Sequence, residues 1–364
     1  MSGLDGDDLR AAVSAGILTE RQATRLTALA DARRGARAAL APGEEPFELF
    51  RGFNEIFIVL GLAILSSGWA GLVGLATAGS SAPVATVTAL GVTGALILWA
   101  LSEYLIRRRR MVAPAIALSL LFGANALLAA SVVLFDVAEA LVSGPAAVVV
   151  PMILVAAAAS GLHFARFRVP FTLAQIAVGL FAALVLGLSA GRSIPDLEAL
   201  FRLGGSGPYA WATLGMGLGL FALAMAWDMS DPHRVTRRSA NGFWLHVVAA
   251  PAIVNTVAVT LLAGDPSAGR LAALGAFLVV IALVAVVIDR RSFLVSGAGY
   301  TVVLAGFVGE GMGIALAVLA MGVAPLILGT QWEAIRAVLL DRLGPLVPRD
   351  RLPPAHRREA DALS

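Results

Sequence analysis

Residues 84–134 read VATVTALGVTGALILWALSEYLIRRRRMVAPAIALSLLFGANALLAASVVL. Two apolar runs flank the block Arg107-Arg108-Arg109-Arg110, and each is long enough to cross a bilayer as a helix. A hydrocarbon core about 30 Å thick takes about 20 apolar residues at the helical rise. Four consecutive charges cannot sit inside that core, so the block is a turn at one membrane surface and the runs are neighbouring spans. The same grammar extends in both directions. Apolar segments lie at 54–75, 84–106, 112–134, 145–165, 169–188, 208–228, 241–263, 269–288, 292–308 and 310–331. This predicts an all-α, polytopic transmembrane helical bundle of about ten spans. The turns between the last three segments are very short.

Arginine gives the bundle a side. The chain has 27 basic residues and no lysine. Ten alternating spans place 24 of the arginines on the side that holds both termini, and leave Arg192, Arg202 and Arg270 opposite. Basic short loops are retained in the cytoplasm, so both termini are expected inside a bacterial inner membrane. A missed span would scramble the alternation. The composition agrees, with 59% hydrophobic and 14% charged residues and a mean hydropathy of +0.85. The pI near 10.1 reflects these loop arginines. Their spread over many turns predicts anionic lipid headgroups as counter-charge, and no nucleic-acid partner.

Three domains are expected: a cytoplasmic helical hairpin with its linker at 1–50, the bundle at 51–331, and an amphipathic interfacial helix with a disordered tail at 332–364. The chain opens with Asp5, Asp7 and Asp8 and no basic n-region, so no cleaved signal peptide is expected. In the hairpin, Gly16 breaks a first helix, and Thr19-Glu20-Arg21-Gln22 has the spacing of a capping box for a second. At the other end, Ile335, Val338, Leu339 and Leu343 form one apolar face, and Gly344-Pro345 stops the helix. In the longest outer loop, 189–207, Ser193 is expected to cap a short helix beginning at Pro195.

A polar side chain inside a bilayer is costly and marks a functional candidate, with helix-to-helix hydrogen bonding as the plain alternative. The candidates are Asn125, Gln175, His246, Asn255, Tyr300 and Glu310. Pro251 joins them because it lacks an N–H, which strips the Val247 carbonyl of its helical partner and should bend the helix. His246 and Asn255 are nine positions apart and fall on opposite faces of a straight helix. Glu103 is explained by an i,i+4 pair with Arg107, and Asp228 and Asp289 border arginines in the same manner. The Gly215/Gly219 and Gly309/Gly313 pairs have the spacing of close helix contacts.

No cysteine is present, which removes disulfides, thiol nucleophiles and Cys-based metal sites. Without lysine there is no Schiff base. The four histidines (His163, His233, His246 and His356) are scattered, and no HExxH, P-loop or GxSxG occurs, so no enzyme, cofactor or metal centre is expected.

The stretch Gly16-Ile17-Leu18-Thr19-Glu20-Arg21-Gln22, with Arg237-Arg238-Ser239, Phe243-Trp244-Leu245-His246, Ala249-Ala250-Pro251 and Leu352-Pro353-Pro354, resembles a family of uncharacterised bacterial polytopic inner-membrane proteins with an N-terminal helical hairpin. That resemblance implies the architecture and no activity. Two functions are therefore expected from the residues: a transporter-like bundle with a small-solute pocket, or a non-transporting scaffold or envelope-stress partner that captures a protein through residues 1–45.

Overall fold

The computed structural model describes residues 6–19, 53–134, 145–189, 195–205, 207–232, 234, 237–264, 266–294, 330–344 and 347–353, with isolated positions between them. Two compact units divide the chain, Met1–Phe47 and Glu48–Ser364.

In the first unit, α1 (Gly6–Ser14) ends at Gly16, whose φ of +70° is the left-handed conformation that glycine adopts without penalty. The predicted capping box is formed next to it. Gln22 N–H donates to Thr19 Oγ1 (3.3 Å), and Thr19 N–H donates back to Gln22 Oε1 (2.9 Å).

The second unit is helical among the described residues. Its elements are α2 (Phe53–Ala78), α3 (Pro83–Ser102), α4 (Ala113–Ala129), α5 (Pro145–Phe167), α6 (Phe171–Leu188), the short α7 (Leu197–Phe201), α8 (Tyr209–Met229), α9 (Arg237–Leu262), α10 (Ala268–Ile288) and α11 (Trp332–Leu343). Eight of these helices are long and apolar enough to cross a membrane. They coincide with the first eight expected spans, and the chain is an integral, multi-pass membrane protein. Most of the expected ninth and tenth spans, and Glu310, lie outside the described residues.

Short arginine-bearing turns join α3 to α4, α5 to α6 and α8 to α9, and each pair packs along its length. α4 packs on α5 and α6 on α9, which joins the pairs, while α10 packs on α9 and carries α11. The turns share a backbone device. Arg110, Arg168, Arg234 and Asp289 have φ of 54°, 54°, 53° and 57°, all left-handed. Each follows a helix that runs toward the arginine-rich end. Pro114 and Pro170 stand at the starts of two of the helices that follow these turns.

Close packing depends on a few glycines, which do not include Gly215 and Gly219; the other expected pair, Gly309/Gly313, lies outside the described residues. A Cβ on Gly91 would lie 2.3 Å from the Ala129 nitrogen, and one on Gly217 2.9 Å from the Ala252 Cβ. Gly215 and Gly219 face open space. Spacing of four puts two glycines on one helix face but does not decide which face meets a neighbour.

Charged side chains finish helix ends across the bundle. The buried Glu55 of α2 accepts from the N–H groups of Val112 (3.3 Å) and Ala113 (3.1 Å), and so caps α4. Asp289 and Arg234 form an ion pair at 2.9 Å, and Trp332 Nε1 donates to Asp289 (2.6 Å). Arg336 is fully buried and donates to the carbonyls of Val286 (3.1 Å) and Pro353. Burial pulls its guanidinium below the usual arginine range, against which Asp289 and Glu333 act. The buried face of α11 is therefore Trp332, Arg336, Ala337 and Leu340, packed on α10, while Val338 of the expected apolar face is exposed. The other three residues of that face, Ile335, Leu339 and Leu343, are half-buried.

In the outer loop, the N-cap of α7 is Asp196, whose carboxylate accepts from Ala199 N–H (2.8 Å). Ser193, expected in that role, lies outside the described residues. Thr260 of α9 secures this loop by accepting from Leu203 N–H (2.8 Å).

Candidate functional site

The polar residues picked from the spans do not converge. Asn125 accepts from Trp69 Nε1 (2.9 Å) and donates to the Leu121 carbonyl (3.0 Å), so its amide joins α4 to α2. Gly94 makes the room, since a Cβ there would lie 2.1 Å from Asn125 Oδ1. Asn255 accepts from the Tyr300 hydroxyl (3.0 Å). His246, on the far face of α9 from Asn255, has other partners. Three of the candidates thus act as links between helices. A cavity of about 330 Å³ adjoins the Trp69–Asn125 pair, walled by leucines of α2 and α3.

Gln175 and Pro251 do share a space. A cavity of about 520 Å³ lies among α4, α6, α8 and α9, with Phe201 of α7 at one end and Phe171 and Trp244 at the other. The two aromatic rings meet edge to face at 4.9 Å. No charged side chain lines it. Thr213 contributes a hydroxyl already bonded to the Tyr209 carbonyl (3.0 Å). Gln175 Nε2 donates to Ser160 Oγ (3.3 Å), and its Oε1 has no partner among the described residues. A Cβ on Gly123 would fall 1.7 Å from that amide nitrogen, so glycine there is what admits the glutamine. Pro251 sits inside the continuous helix α9, and Val247, whose carbonyl a proline four residues on cannot satisfy, also lines the cavity. The cavity is apolar, and the nearest polar group without a hydrogen-bond partner among the described residues is the buried Gln175 Oε1.

The charged constellation of the bundle escaped the sequence. Asp228, near the end of α8, is buried and accepts from His246 Nε2 (3.0 Å), Arg290 Nε (2.9 Å) and Arg290 Nη2 (2.6 Å). The same Nη2 donates to the Ser239 carbonyl (2.9 Å). His246 is wholly buried between Phe221 (5.5 Å) and Phe293 (5.7 Å), and its Nδ1 has no hydrogen-bond partner. Asp228 is thus paired with the Arg290 guanidinium and lies within hydrogen-bond distance of the His246 ring. Gly242 fits under the carboxylate; a Cβ there would lie 2.2 Å from Oδ1. One carboxylate thus ties the end of α8 to the interior of α9 and to the residue two beyond the end of α10.

His163, also wholly buried, stacks among Trp99, Phe122 and Phe167, with Nε2 at 3.3 Å from Ser102 Oγ. Ser102 donates its proton to the Leu98 carbonyl (2.8 Å), so it accepts from the imidazole. A serine held that way is not activated for attack, which needs the opposite direction of transfer. Among the described residues no cluster of His, Asp and Glu has the makings of a metal site.

Comparison of the chain with models of known families, with curated proteins and with solved structures finds no match.

Proposed function

We propose that this membrane protein binds a small, largely apolar molecule bearing a hydroxyl or similar group in the cavity beside Gln175 and Trp244, and that it works as a transporter-like carrier rather than an enzyme. The supporting observation is the 520 Å³ cavity that collects Gln175, Val247 and Pro251 inside apolar walls. Its size is in the range of small-ligand pockets, about 300–1,000 Å³. A ligand hydroxyl that reaches Gln175 would donate to its Oε1, since Nε2 is bonded to Ser160. The absence of charge in the lining disfavours ionic cargo, because an unpaired ion would have to shed its water there. The arginine-rich ends orient the bundle with that side in the cytoplasm of a bacterial inner membrane.

The test is thermal unfolding of the detergent-purified chain against a panel of amphipathic alcohols, sterol-like and aromatic compounds. A ligand at 100 times its dissociation constant stabilises by about 2.7 kcal/mol in the one-site case. Val248→Trp, which fills the cavity, should abolish the shift, and Gln175→Leu should weaken it for hydroxyl ligands only. A shift that survives Val248→Trp in a folded protein refutes the reading.

A second reading rests on the first unit, where Ile17 is 75% exposed beside the Gly16 turn. An exposed isoleucine beside the capped Thr19–Gln22 corner supports partner capture through residues 1–45. Loss of a crosslinked partner from native membranes on deleting those residues is the expected result; capture unchanged by the deletion excludes it.

A further inference from the structure

We propose that the turns following α3 and α5 form one binding site for the headgroup of an anionic phospholipid. The two turns are neighbours. Ile106, Ala115, Phe167 and Val169 pack in one cluster beneath them, and Glu103 bonds Arg107 (3.0 Å) and Arg166 (2.8 Å) together. Six arginines crowd this corner: 107 to 110, 166 and 168. Glu103 serves two of them, and Arg109 lies over the Tyr104 ring at 5.9 Å. The other nearby carboxylate, Glu55, is buried and committed to the backbone of α4. Arg108, Arg110 and Arg168 are exposed and have no side-chain partner among the described residues.

Backbone conformation is the independent sign. Arg110 and Arg168 both hold φ of 54°, where a side chain is disfavoured and glycine is the ordinary choice. The chain uses the same device once with its partner in view. Arg234, at φ 53°, turns its fork onto Asp289, with Nη1 at 2.9 Å from the carboxylate and Nη2 at 2.8 Å from the carbonyl. A left-handed arginine at a helix corner therefore presents its guanidinium to an oxygen anion. At Arg110 and Arg168 no carboxylate is in place among the described residues, and in this proposal a lipid headgroup supplies that anion.

Depth selects the source. Both turns lie at the ends of apolar spans, Pro83–Arg108 and Ala146–Phe167, which is the level of lipid phosphates. The planar fork matches phosphate oxygens bidentately. A lipid phosphate is held at this level by its own acyl chains, whereas a soluble phosphate has to be captured from dilute solution.

The test counts phosphatidylglycerol and phosphatidylcholine bound to the full-length, detergent-purified protein by native mass spectrometry. Arg110→Gly and Arg168→Gly suit it, because glycine relieves the left-handed backbone and a folding failure is not the expected side effect. Each arginine near a membrane surface contributes about fivefold to anionic-lipid affinity, so each variant should weaken phosphatidylglycerol about fivefold and the pair about 30-fold. Arg202→Gln, at the opposite end of the bundle, should change nothing. Phosphatidylglycerol binding unchanged in the double variant overturns the proposal. Equal occupancy by phosphatidylcholine does too, as does full displacement by an equal concentration of inorganic phosphate.

Discussion

Asp228→Ala removes a carboxylate that accepts three hydrogen bonds, two from Arg290 and one from His246, at a site where Arg290 is 2% and His246 0% exposed. The loss is not the small value of a surface ion pair. Removing one partner of a buried pair leaves the other charge in low dielectric, at about 3–5 kcal/mol. His246 Nε2–H is orphaned in the same step, and that penalty lies inside the range rather than on top of it. Asp228→Asn keeps an acceptor and loses the charge, so it should fall near half the alanine value. The decisive comparison is Asp228→Leu with Arg290→Met. Taking out both charges together removes the uncompensated ion, leaving chiefly the unpaired histidine at about 1–3 kcal/mol. The double variant should therefore be more stable than Asp228→Ala alone. Reversible unfolding by sodium dodecyl sulfate in mixed micelles, followed by tryptophan fluorescence, gives the free energies. An alanine cost below about 1 kcal/mol, or a double variant less stable than the single, would refute the argument that a buried ion pair holds α8, α9 and α10.

Three other predictions follow from the geometry. Gly91→Ala drives a Cβ against the backbone of Ala129 and should cost about 1–3 kcal/mol, while Gly215→Ala and Gly219→Ala meet nothing and should be neutral or gain up to about 1 kcal/mol from helix propensity, all read in the same unfolding assay. Glu55→Ala strips the cap of α4 at about 0.5–2 kcal/mol, with faster amide exchange at Val112 and Ala113 as its local sign. Thr260→Val releases the Leu203 N–H, and protease sensitivity should rise within 197–205 while the midpoint of global unfolding moves little.

The spans were legible because length and apolarity suffice for them. A run such as 269–288 can be little else. The hairpin corner was legible for a related reason, since Thr19 and Gln22 carry their geometry in their spacing. The Asp228 site was not. His246 lies nine residues into α9, roughly 13.5 Å from Arg237 along the axis. Asp228 is the penultimate residue of α8. They meet because α9 begins well beyond the level at which α8 ends, and no pattern in either helix records that stagger. Asp228 beside a basic loop looked like a local pair, yet its arginine is 62 residues away. The cavity was legible in part: Gln175 and Pro251 were marked for their cost inside a membrane, while the chamber that joins them depends on the packing of four helices. Asn125, Gln175, His246 and Asn255 were marked for their depth; the opposite faces of His246 and Asn255 were readable from their nine-residue spacing, whereas the partner each one meets depends on the neighbouring helices.

That separation of 62 residues also sets a clock. Synthesis proceeds at about 5–20 residues per second, so Asp228 emerges about 3–12 s before Arg290. Through that interval α8 and α9 hold a carboxylate and a histidine whose counter-ion has yet to be made. Neutralising the site closes assembly of the third helix onto the first two, so a nascent chain stopped before residue 290 carries a built-in mark of incompleteness. A truncation there should be cleared by membrane proteolysis faster than one placed just after Arg290, and Asp228→Leu should erase the difference.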